Sequence, residues 1–212
     1  MGVRVPSPAP LNKLKSDIMF DFFYVKMETM NIELDLSKLN IITERLIIRN
    51  WQACDLEDMY LCGSNLKVAK MAGFVVHQNR NYTKMLLERF MSSGSNLAVE
   101  YQNHVIASIV INKYPENILP EFKFLRGCDL GFALSEEYWG QGIMLEALKP
   151  LIDYLFYYED LDFISCGHFI TNTQSKRLKE KLGFIPYRHC LHVGPYDDNQ
   201  ETCLSILYRP KA

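Results

Sequence analysis

The residues that first suggest chemistry in this chain are two glycines one residue apart, Gly140 and Gly142, in the string YWGQG. They follow an apolar, strand-like run that ends near Leu134 and precede an apolar, helix-like run that begins at Ile143. The first turn of a helix presents backbone N–H groups without intrahelical partners, and the helix dipole favours an anion there. Glycine lets a phosphate group approach that backbone closely. The string therefore predicts either a tight turn without a ligand or a cradle for a diphosphate.

The strand-like run CDLGFALS has two unlike faces, because side chains alternate across a strand. One face is apolar and carries Cys128, Leu130, Phe132 and Leu134. The other face is small or polar and carries Asp129, Gly131, Ala133 and Ser135. A face of small residues predicts either a ligand that lies against the strand or a helix that packs closely on it.

The glycine pair fits neither of two common nucleotide-binding motifs. No GxxxxGK[ST] string occurs, which excludes a P-loop, and a GxGxxG fingerprint would need glycine at Leu145. The sequence also offers one good strand–helix–strand unit, whereas a dinucleotide fold is built from two halves.

The composition restricts the class of protein. The chain has 212 residues, 48% of them hydrophobic, and a formal net charge of −2. This indicates one globular domain without the broad basic face of a nucleic-acid scaffold. Charged residues interrupt every apolar run before it reaches membrane-spanning length, so no membrane partner is expected. The six cysteines are scattered without a CxxC pair, which is typical of reduced thiols and favours a cytoplasmic protein.

The first 36 residues differ from the rest of the chain. They begin with the proline-rich string MGVRVPSPAPLNKLKSD, which has no apolar periodicity. We expect residues 1–36 to be disordered or a spurious extension, with Met27 and Met30 as candidate true starts; an organelle transit peptide is the alternative. The folded domain is expected to span residues 37–212.

Strand and helix patterns alternate in the second half of this domain, after hairpin-like runs in the first half. Strands are predicted in ITERLIIRNW, NLAVEYQN, HVIASIVINKY, CDLGFALS, DFISCGHFI, YRHCLHVG and CLSILYR. Helices are predicted in DLEDMYLCG, NYTKMLLERFMSSG, IMLEALKPLIDYLFYY and TNTQSKRLKEKLGF. Pro150 should kink the third helix by removing one hydrogen bond. This order indicates an α/β fold with a mixed sheet.

Three strings, LGFALSEEYWGQGIMLEAL, CGHFITNTQSKRLKEKLGF and TERLIIRNW, together resemble the acetyl-coenzyme A-binding core of the GNAT acetyltransferases. More narrowly, they resemble the branch that contains the ribosomal-protein N-terminal acetyltransferases. The resemblance implies a single α/β domain with a mixed, mostly antiparallel sheet of six to seven strands, helices on both faces and a splayed central strand pair. It also implies an acyltransferase that moves an acetyl group directly from acetyl-coenzyme A, its co-substrate, to a primary amine.

The resemblance assigns the coenzyme to the glycine turn and the strand before it. Backbone N–H groups would hold the diphosphate, and they belong to Trp139, Gly140, Gln141, Gly142, Ile143 and Met144. The large side chain of Met144 would have to point away from the ligand. The backbone of Phe132 and Leu134 would pair with the pantetheine arm, and Asn172 would hydrogen-bond to it. Alternatively, Asn172 or Thr171 only caps the following helix, since Thr171 and Gln174 have the spacing of a capping box.

Acetyl transfer to an amine needs a neutral amine, a polarised carbonyl and a proton for the departing thiolate. In much of the family a tyrosine seven residues after the asparagine supplies that proton, but this position is Lys179 here. In the ribosomal-protein branch the serine of Asn-x-x-Ser is the proposed substitute, which maps to Ser175. Its alternative role is a polar residue in the first turn of a helix. As general base, Asp129 on the small-residue face is the first choice and His168 is the second. The alternative for each of them is a solvated or hydrogen-bonded structural role.

Several alternatives stay open. Cys190, His192 and Cys203 could bind zinc, although such strand residues are more often simply half-buried, and no metal is expected. The chain could instead be a GNAT-fold module that binds an acyl-coenzyme A with little turnover, because the tyrosine is missing and Met144 is large.

The acceptor could be a protein N-terminus, a polyamine or an aminated drug, and the strings NLKVAKMAGFVVHQNR and NKYPENILPEFKF that should meet it carry no recognisable code. The protein could be a monomer or a homodimer.

Overall fold

The computed structural model describes residues 31, 33–193, 195–196 and 199–211. Most of the N-terminal extension, with the candidate starts Met27 and Met30, lies outside this part of the chain. Leu34 and Leu36 belong to the extension as predicted, yet their side chains are 5% and 1% exposed and pack in the main core. The packed part of the protein therefore begins upstream of residue 37.

In the described part of the chain, eight strands form one mixed sheet. They are β1 (Asn40–Ile42), β2 (Leu46–Asn50), β3 (Asn96–Tyr101), β4 (His104–Asn112), β5 (Gly127–Leu134), β6 (Phe163–Phe169), β7 (Ile185–Val193) and β8 (Asn199–Tyr208). Their order is β1-β2-β3-β4-β5-β6-β8-β7, and every neighbouring pair is antiparallel except β5 and β6, which are parallel. The mixed, mostly antiparallel sheet is confirmed with one strand more than predicted, because the three residues of β1 are too few to show a period of two.

Five α-helices accompany the sheet within the residues that the structure describes. They are α1 (Leu56–Gly63), α2 (Leu66–Ala72), α3 (Arg80–Ser93), α4 (Ile143–Tyr157) and α5 (Thr173–Lys181). The prediction missed α2, which the Asn65 side chain caps by accepting from the N–H groups of Lys67 and Val68, and which ends at left-handed Gly73. Helix α4 continues through Pro150 to Tyr157. None of the helices in the described residues is long and apolar enough to cross a bilayer.

Helices cover both faces of the sheet, as predicted. On one face α4 contributes Ala147, Leu148, Leu151 and Leu155 to the main core, which also contains β3 residues Leu97 and Val99. On the other face α1 and α3 contribute Met59 and Leu87 to a smaller cluster with Ala98. Strand alternation explains the division, because Ala98 lies between Leu97 and Val99 and points to the opposite side.

The sheet divides at the junction of its two parallel strands. β5 and β6 pair over three residues each, and the last pair is Asp129 with Ser165. Beyond that pair β5 continues to Leu134 and β6 to Phe169 without bonding to each other, although β5 stays paired with β4 and β6 with β8. The splayed central strand pair is therefore confirmed, and it leaves a gap in the middle of the sheet.

Candidate active site

A cleft of about 860 Å³ occupies the gap between β5 and β6 and extends to the glycine turn. It brings together most of the predicted site residues: Asp129, Phe132, Leu134, Trp139, Gly140, Gly142, Ile143, Met144, His168, Asn172 and Ser175. Gln141 is outside the lining, and its Nε2 turns back to donate to the carbonyl of Glu137 at 2.8 Å. Residues that lie up to 46 positions apart thus meet along one cleft.

Both glycines of the turn have backbone conformations that require glycine. The φ angle is +75° at Gly140 and +76° at Gly142, in the left-handed region where a side chain costs about 1–2 kcal/mol. Among the described residues, a Cβ at Gly140 would meet no atom within 4 Å, and one at Gly142 would meet only Arg45 Nη2, at 3.9 Å. The glycines therefore set the path of the backbone and leave open space beside it that a ligand can enter.

The N-terminus of α4 supplies unpaired donors at this turn. Gly142 is its N-cap, and the first intrahelical hydrogen bond runs from Glu146 N–H to the carbonyl of Gly142 at 3.0 Å. The N–H groups of Ile143, Met144 and Leu145 precede that bond and have no intrahelical partner. Together with the helix dipole, these groups make the end of the cleft suited to an anion.

Met144 and Trp139 lie on either side of the glycine pair and make different contacts. Met144 is 6% exposed and packs in the main core, and it also lines the cleft. Trp139 donates its backbone N–H to the carbonyl of Glu136 at 3.1 Å and its indole Nε1–H to the carbonyl of Leu134 at 2.8 Å. Trp139 lines the cleft. Because both of its donors are engaged, it does not present an N–H to a diphosphate in this arrangement.

Arg45, which the sequence analysis did not single out, ties the turn to β2. Its Nε donates to Glu146 Oε2 at 2.7 Å and its Nη2 to the carbonyl of Gln141 at 3.3 Å. Glu146 Oε1 also accepts from Thr43 Oγ1 at 2.6 Å and from the Arg45 N–H at 3.0 Å. Burial opposes ionisation of Glu146, but the hydrogen bonds from Thr43 and Arg45 outweigh it and lower the pKa of that carboxyl. The TER string before β2 therefore anchors the first turn of α4.

The backbone of β5 offers donors along the gap. The Ser135 N–H donates to the carbonyl of Ile106 at 2.9 Å, at the end of the ladder with β4. Alternate residues of an antiparallel strand direct their N–H groups to the same side. The N–H groups of Phe132 and Leu134 therefore face away from β4 and towards the gap. These are the two residues that the resemblance assigned to the pantetheine arm.

Asp129 lies at the closed end of the gap. Ser165 Oγ donates to its Oδ1 at 2.6 Å, and Asp129 shares its face of the sheet with Gly131 and Ala133. Burial raises the pKa of Asp129 against the opposing effects of the Ser165 hydrogen bond and the positive charge of Lys179. A carboxylate with a raised pKa accepts a proton more readily than an ordinary aspartate does, which suits a general base.

Asn172 begins α5 and fixes its orientation. Its Oδ1 accepts from the Ser175 N–H at 3.0 Å and its Nδ2 donates to the carbonyl of Met71 at 3.1 Å. Asn172 is therefore the N-cap in place of Thr171, and it also joins α5 to α2. Ser175 is 8% exposed and lines the cleft, and no partner for its hydroxyl occurs among the described residues. That hydroxyl is available to a ligand.

Lys179, at the position of the family's tyrosine, lies beneath the cleft instead of lining it. It is 2% exposed, and its Nζ donates to the carbonyls of Cys166 and Cys203 at 2.8 and 3.2 Å and to Ser205 Oγ at 2.9 Å. Burial lowers the pKa of Lys179. Its three hydrogen bonds join α5 to β6 and β8, which is a structural role.

His168 is the second candidate base, and it faces the other side of the sheet. Its Nδ1 is 3.1 Å from the carbonyl of Cys203, and because a carbonyl only accepts, Nδ1 carries the proton. Burial, and then the charge of Lys179, lowers the pKa of His168. Three positions separate His168 from Ser165 along β6, so alternation puts His168 and the Ser165–Asp129 pair on opposite faces.

A second pocket of about 370 Å³ lies under α1 and α3. Its larger side chains are apolar or aromatic: Trp51, Met59, Phe74, Tyr82, Leu86 and Phe90. It borders the cleft, because Ala72, Asn112 and residues 131–133 line both spaces. The string NLKVAKMAGFVVHQNR, which was expected to meet the acceptor, contributes four residues to its wall. The rest of the wall comes from elements that are distant in sequence, so no local pattern predicts the pocket.

The alternative zinc cluster is not assembled. In the register of β7 and β8, Cys203 lies opposite His189, whereas Cys190 and His192 lie opposite other residues. Across the part of the chain that the structure describes, no group of three or more His, Cys, Asp and Glu side chains is placed to hold a metal ion.

Known proteins are similar to this chain in sequence and in fold. Residues 45–185 match the family described as the acetyltransferase (GNAT) domain. The chain is 24% identical over 169 residues to the uncharacterized N-acetyltransferase YoaA of Bacillus subtilis (strain 168), over 74% of this chain and 92% of that protein. Its fold is similar to that of a ribosomal-protein-S5-alanine acetyltransferase from Vibrio fischeri (TM-score 0.65, 17% identity, 81% of this chain and 97% of that one). It is also similar to a spermidine N-acetyltransferase from Vibrio cholerae in complex with CoA and spermine (TM-score 0.65, 15% identity, 79% and 97%). Since the family match covers most of the folded part, this chain belongs to the GNAT acetyltransferase family and is an acyltransferase.

Proposed function

We propose that this protein transfers an acetyl group from acetyl-coenzyme A directly to a primary amine. The observation that carries the proposal is the gap between β5 and β6, which is open to two spaces. The cleft reaches the anion-binding end of α4, and the second pocket reaches the gap from the face covered by α1 and α3. A donor and an acceptor bound in these two spaces would meet at the gap, which favours direct transfer by proximity.

The cleft suits acetyl-coenzyme A along its length. The free N–H groups at the start of α4 fit the diphosphate, and those of Phe132 and Leu134 fit the amide groups of an extended pantetheine arm. The thioester would then lie towards Asp129, at the closed end of the gap. The Vibrio cholerae relative was solved with CoA, which supports the same class of donor here.

The chain's own residues can serve both proton transfers. The reaction forms a bond between the amine nitrogen and the acetyl carbon and breaks the carbon–sulfur bond; one proton leaves the amine and one joins the thiolate. Asp129 is the better placed base, because it shares its face of the sheet with the second pocket while His168 does not. Ser175, with its unpaired hydroxyl on α5, donates to the thiolate and regains a proton from solvent. Backbone N–H groups at the gap polarise the acetyl carbonyl.

Calorimetry and a thiol-release assay test this proposal together. We expect acetyl-coenzyme A to bind saturably, thiol release to require an amine, and mass spectrometry to identify the acetylated amine. The alternative function is a GNAT-fold module without turnover; binding of acetyl-coenzyme A with no thiol release on any primary amine would favour it. Absence of binding would overturn both.

The acceptors named for the relatives are a ribosomal protein in one case and spermidine in another. At 15–17% identity these similarities show the fold alone, so the acceptor of this chain has to be sought in its own second pocket.

A further inference from the structure

The second pocket indicates the class of acceptor, an inference that rests on the proposed function. We infer that the acceptor is a primary amine carried on an uncharged, apolar group about as large as an aromatic ring. An aromatic primary amine and a peptide whose first residue is aromatic share this chemistry, and the experiment below distinguishes them.

Most of the larger side chains that line the second pocket are apolar or aromatic. Trp51 and Phe90 pack edge to face, with ring centroids 6.1 Å apart, and Tyr82 packs in the same manner on His77 at 5.6 Å. Aromatic rings prefer such edge-to-face or offset contacts, so walls of this kind can accept a further ring. The volume of about 370 Å³ falls at the lower end of the range for small-molecule pockets. The pocket therefore has room for one ring and a short amine arm.

The charge of the pocket disfavours a polyamine. Among the described residues that line it, Asp58 is the only acid, and it is already engaged. Its Oδ2 accepts from the Val105 N–H at 2.8 Å and its Oδ1 lies 3.3 Å from His104 Nδ1. A second ammonium group would find neutral partners such as His77 but no free counter-ion, and burying a charge without a counter-ion is costly.

His77 adds a hydrogen-bond acceptor to the wall but no charge. The Thr83 hydroxyl donates to the carbonyl of Asn79 at 3.2 Å, so Thr83 Oγ1 accepts from His77 Nδ1 at 3.1 Å, and His77 Nε2 keeps its lone pair. Burial lowers the pKa of His77 and favours this neutral form. The ring lies tightly against α1, because a Cβ at Gly63 would come within 2.3 Å of it. A neutral imidazole among aromatic rings suits an uncharged ligand group better than a cationic one.

The position of the pocket connects this group to the reacting amine. Residues 131–133 of β5 line both the pocket and the cleft, and only Val110 atoms lie within 4 Å of a Cβ built on Gly131. An apolar group held under α1 and α3 would therefore direct its amine through this opening towards Asp129.

Four acceptors compared at one pH test the inference: 2-phenylethylamine, a phenylalanine-first peptide, the same peptide with alanine first, and spermidine. We expect kcat/KM for at least one aromatic acceptor to exceed that for spermidine and for the alanine-first peptide by about tenfold or more, as filling an apolar pocket allows. The aromatic acceptor with the higher kcat/KM shows whether the ring belongs to a small aromatic amine or to the first residue of a peptide. Spermidine or the alanine-first peptide as the best substrate would overturn the inference.

Two neighbouring positions on α3 give a matched pair of variants. Leu86 lines the second pocket, whereas Met85 is 55% exposed and does not. Leu86→Phe should raise KM for the better aromatic acceptor about tenfold and leave acetyl-coenzyme A affinity unchanged, and Met85→Phe should change neither. Leu86→Ala enlarges the pocket and should shift preference from 2-phenylethylamine towards a two-ring amine such as tryptamine, which keeps the test decisive if Leu86→Phe folds poorly. Equal effects of the Leu86 and Met85 variants would contradict the inference.

Failure of the inference is distinguishable from failure of the proposed function. If acetyl-coenzyme A binds and turnover is confined to spermidine or the alanine-first peptide, the acceptor class is wrong and the acetyltransferase function stands. If acetyl-coenzyme A does not bind, or binds without turnover of any amine, the proposed function fails and the inference fails with it.

Discussion

Ser165 donates a hydrogen bond to Asp129 across the last pair that joins β5 to β6, with 2.6 Å between Oγ and Oδ1. The contact lies where the sheet opens, and it holds the carboxylate on the face from which the second pocket reaches the gap. It also acts on the pKa of Asp129, which burial raises and the Ser165 hydrogen bond lowers. Substituting Asp129 and substituting its hydrogen-bond donor Ser165 should therefore affect the enzyme differently.

The Asp129→Asn variant should lower kcat by about 10²–10⁴-fold, the usual contribution of general acid–base catalysis. Affinity for acetyl-coenzyme A should be unchanged, because Asp129 lies far along the cleft from the α4 N-terminus. Asparagine can still accept from Ser165, and it removes a carboxylate that burial destabilises, so the thermal midpoint at pH 7 should not fall. Saturating kinetics and calorimetry measure these quantities. An unchanged pH–rate profile would show that Asp129 is not the base.

The Ser165→Ala variant should move the acid limb of the kcat/KM profile to higher pH. The Ser165 hydrogen bond lowers the pKa of Asp129, so without it the pKa rises and the base becomes protonated, hence inactive, at a higher pH. The rate on the plateau should change much less than in Asp129→Asn. A limb that stays in place or moves to lower pH would contradict the assignment.

The Ser175→Ala variant should lower kcat without disturbing α5. The helix cap uses the backbone N–H of Ser175, which alanine retains, whereas the proposed acid is the hydroxyl. With both substrates saturating, we expect a loss within the range of about 10²–10⁴-fold for an acid catalyst, and a nearly unchanged KM for acetyl-coenzyme A. Wild-type kcat in this variant would mean that solvent protonates the thiolate.

The Gly142→Ala variant should weaken acetyl-coenzyme A binding more than it weakens the fold. Alanine at φ +76° costs about 1–2 kcal/mol and places a methyl group beside the free N–H groups of α4. Gly183, with φ +88° and no part in the cleft lining, provides a control with similar strain. Gly183→Ala should lower the thermal midpoint to a similar extent and leave the dissociation constant of the coenzyme unchanged. Equal losses of affinity in the two variants would argue against a diphosphate at the turn.

The residues that line the cleft were largely predictable because their signals are local. The glycine pair, the small face of β5 and the Asn-x-x-Ser string each occupy one short stretch, and the cleft brings them together. Trp139 shows the limit of such reasoning: its donors are taken by Glu136 and Leu134 through turn geometry that a family pattern does not specify.

The features that sequence reasoning missed depend on contacts between distant segments. Arg45 acts on the turn through Glu146, 101 positions away. Lys179 could be recognised as the replacement of a tyrosine, but its burial against β6 and β8 depends on how α5 packs on the sheet. The second pocket likewise has no local motif, because helices, a loop and strands each contribute part of its wall.

The open stretch of β5 beyond Asp129 is a sheet edge enclosed within the molecule. Edge strands present N–H groups that pair readily with another extended chain, and proteins normally cover or charge such edges. Here the edge faces the cleft, so an extended ligand arm would act as a short additional strand and complete the sheet. The amide protons of Phe132 and Leu134 would then exchange with solvent quickly in the free protein and slowly in the complex. With the coenzyme bound as proposed, the interruption of the sheet would make the backbone of β5 a direct reporter of its binding.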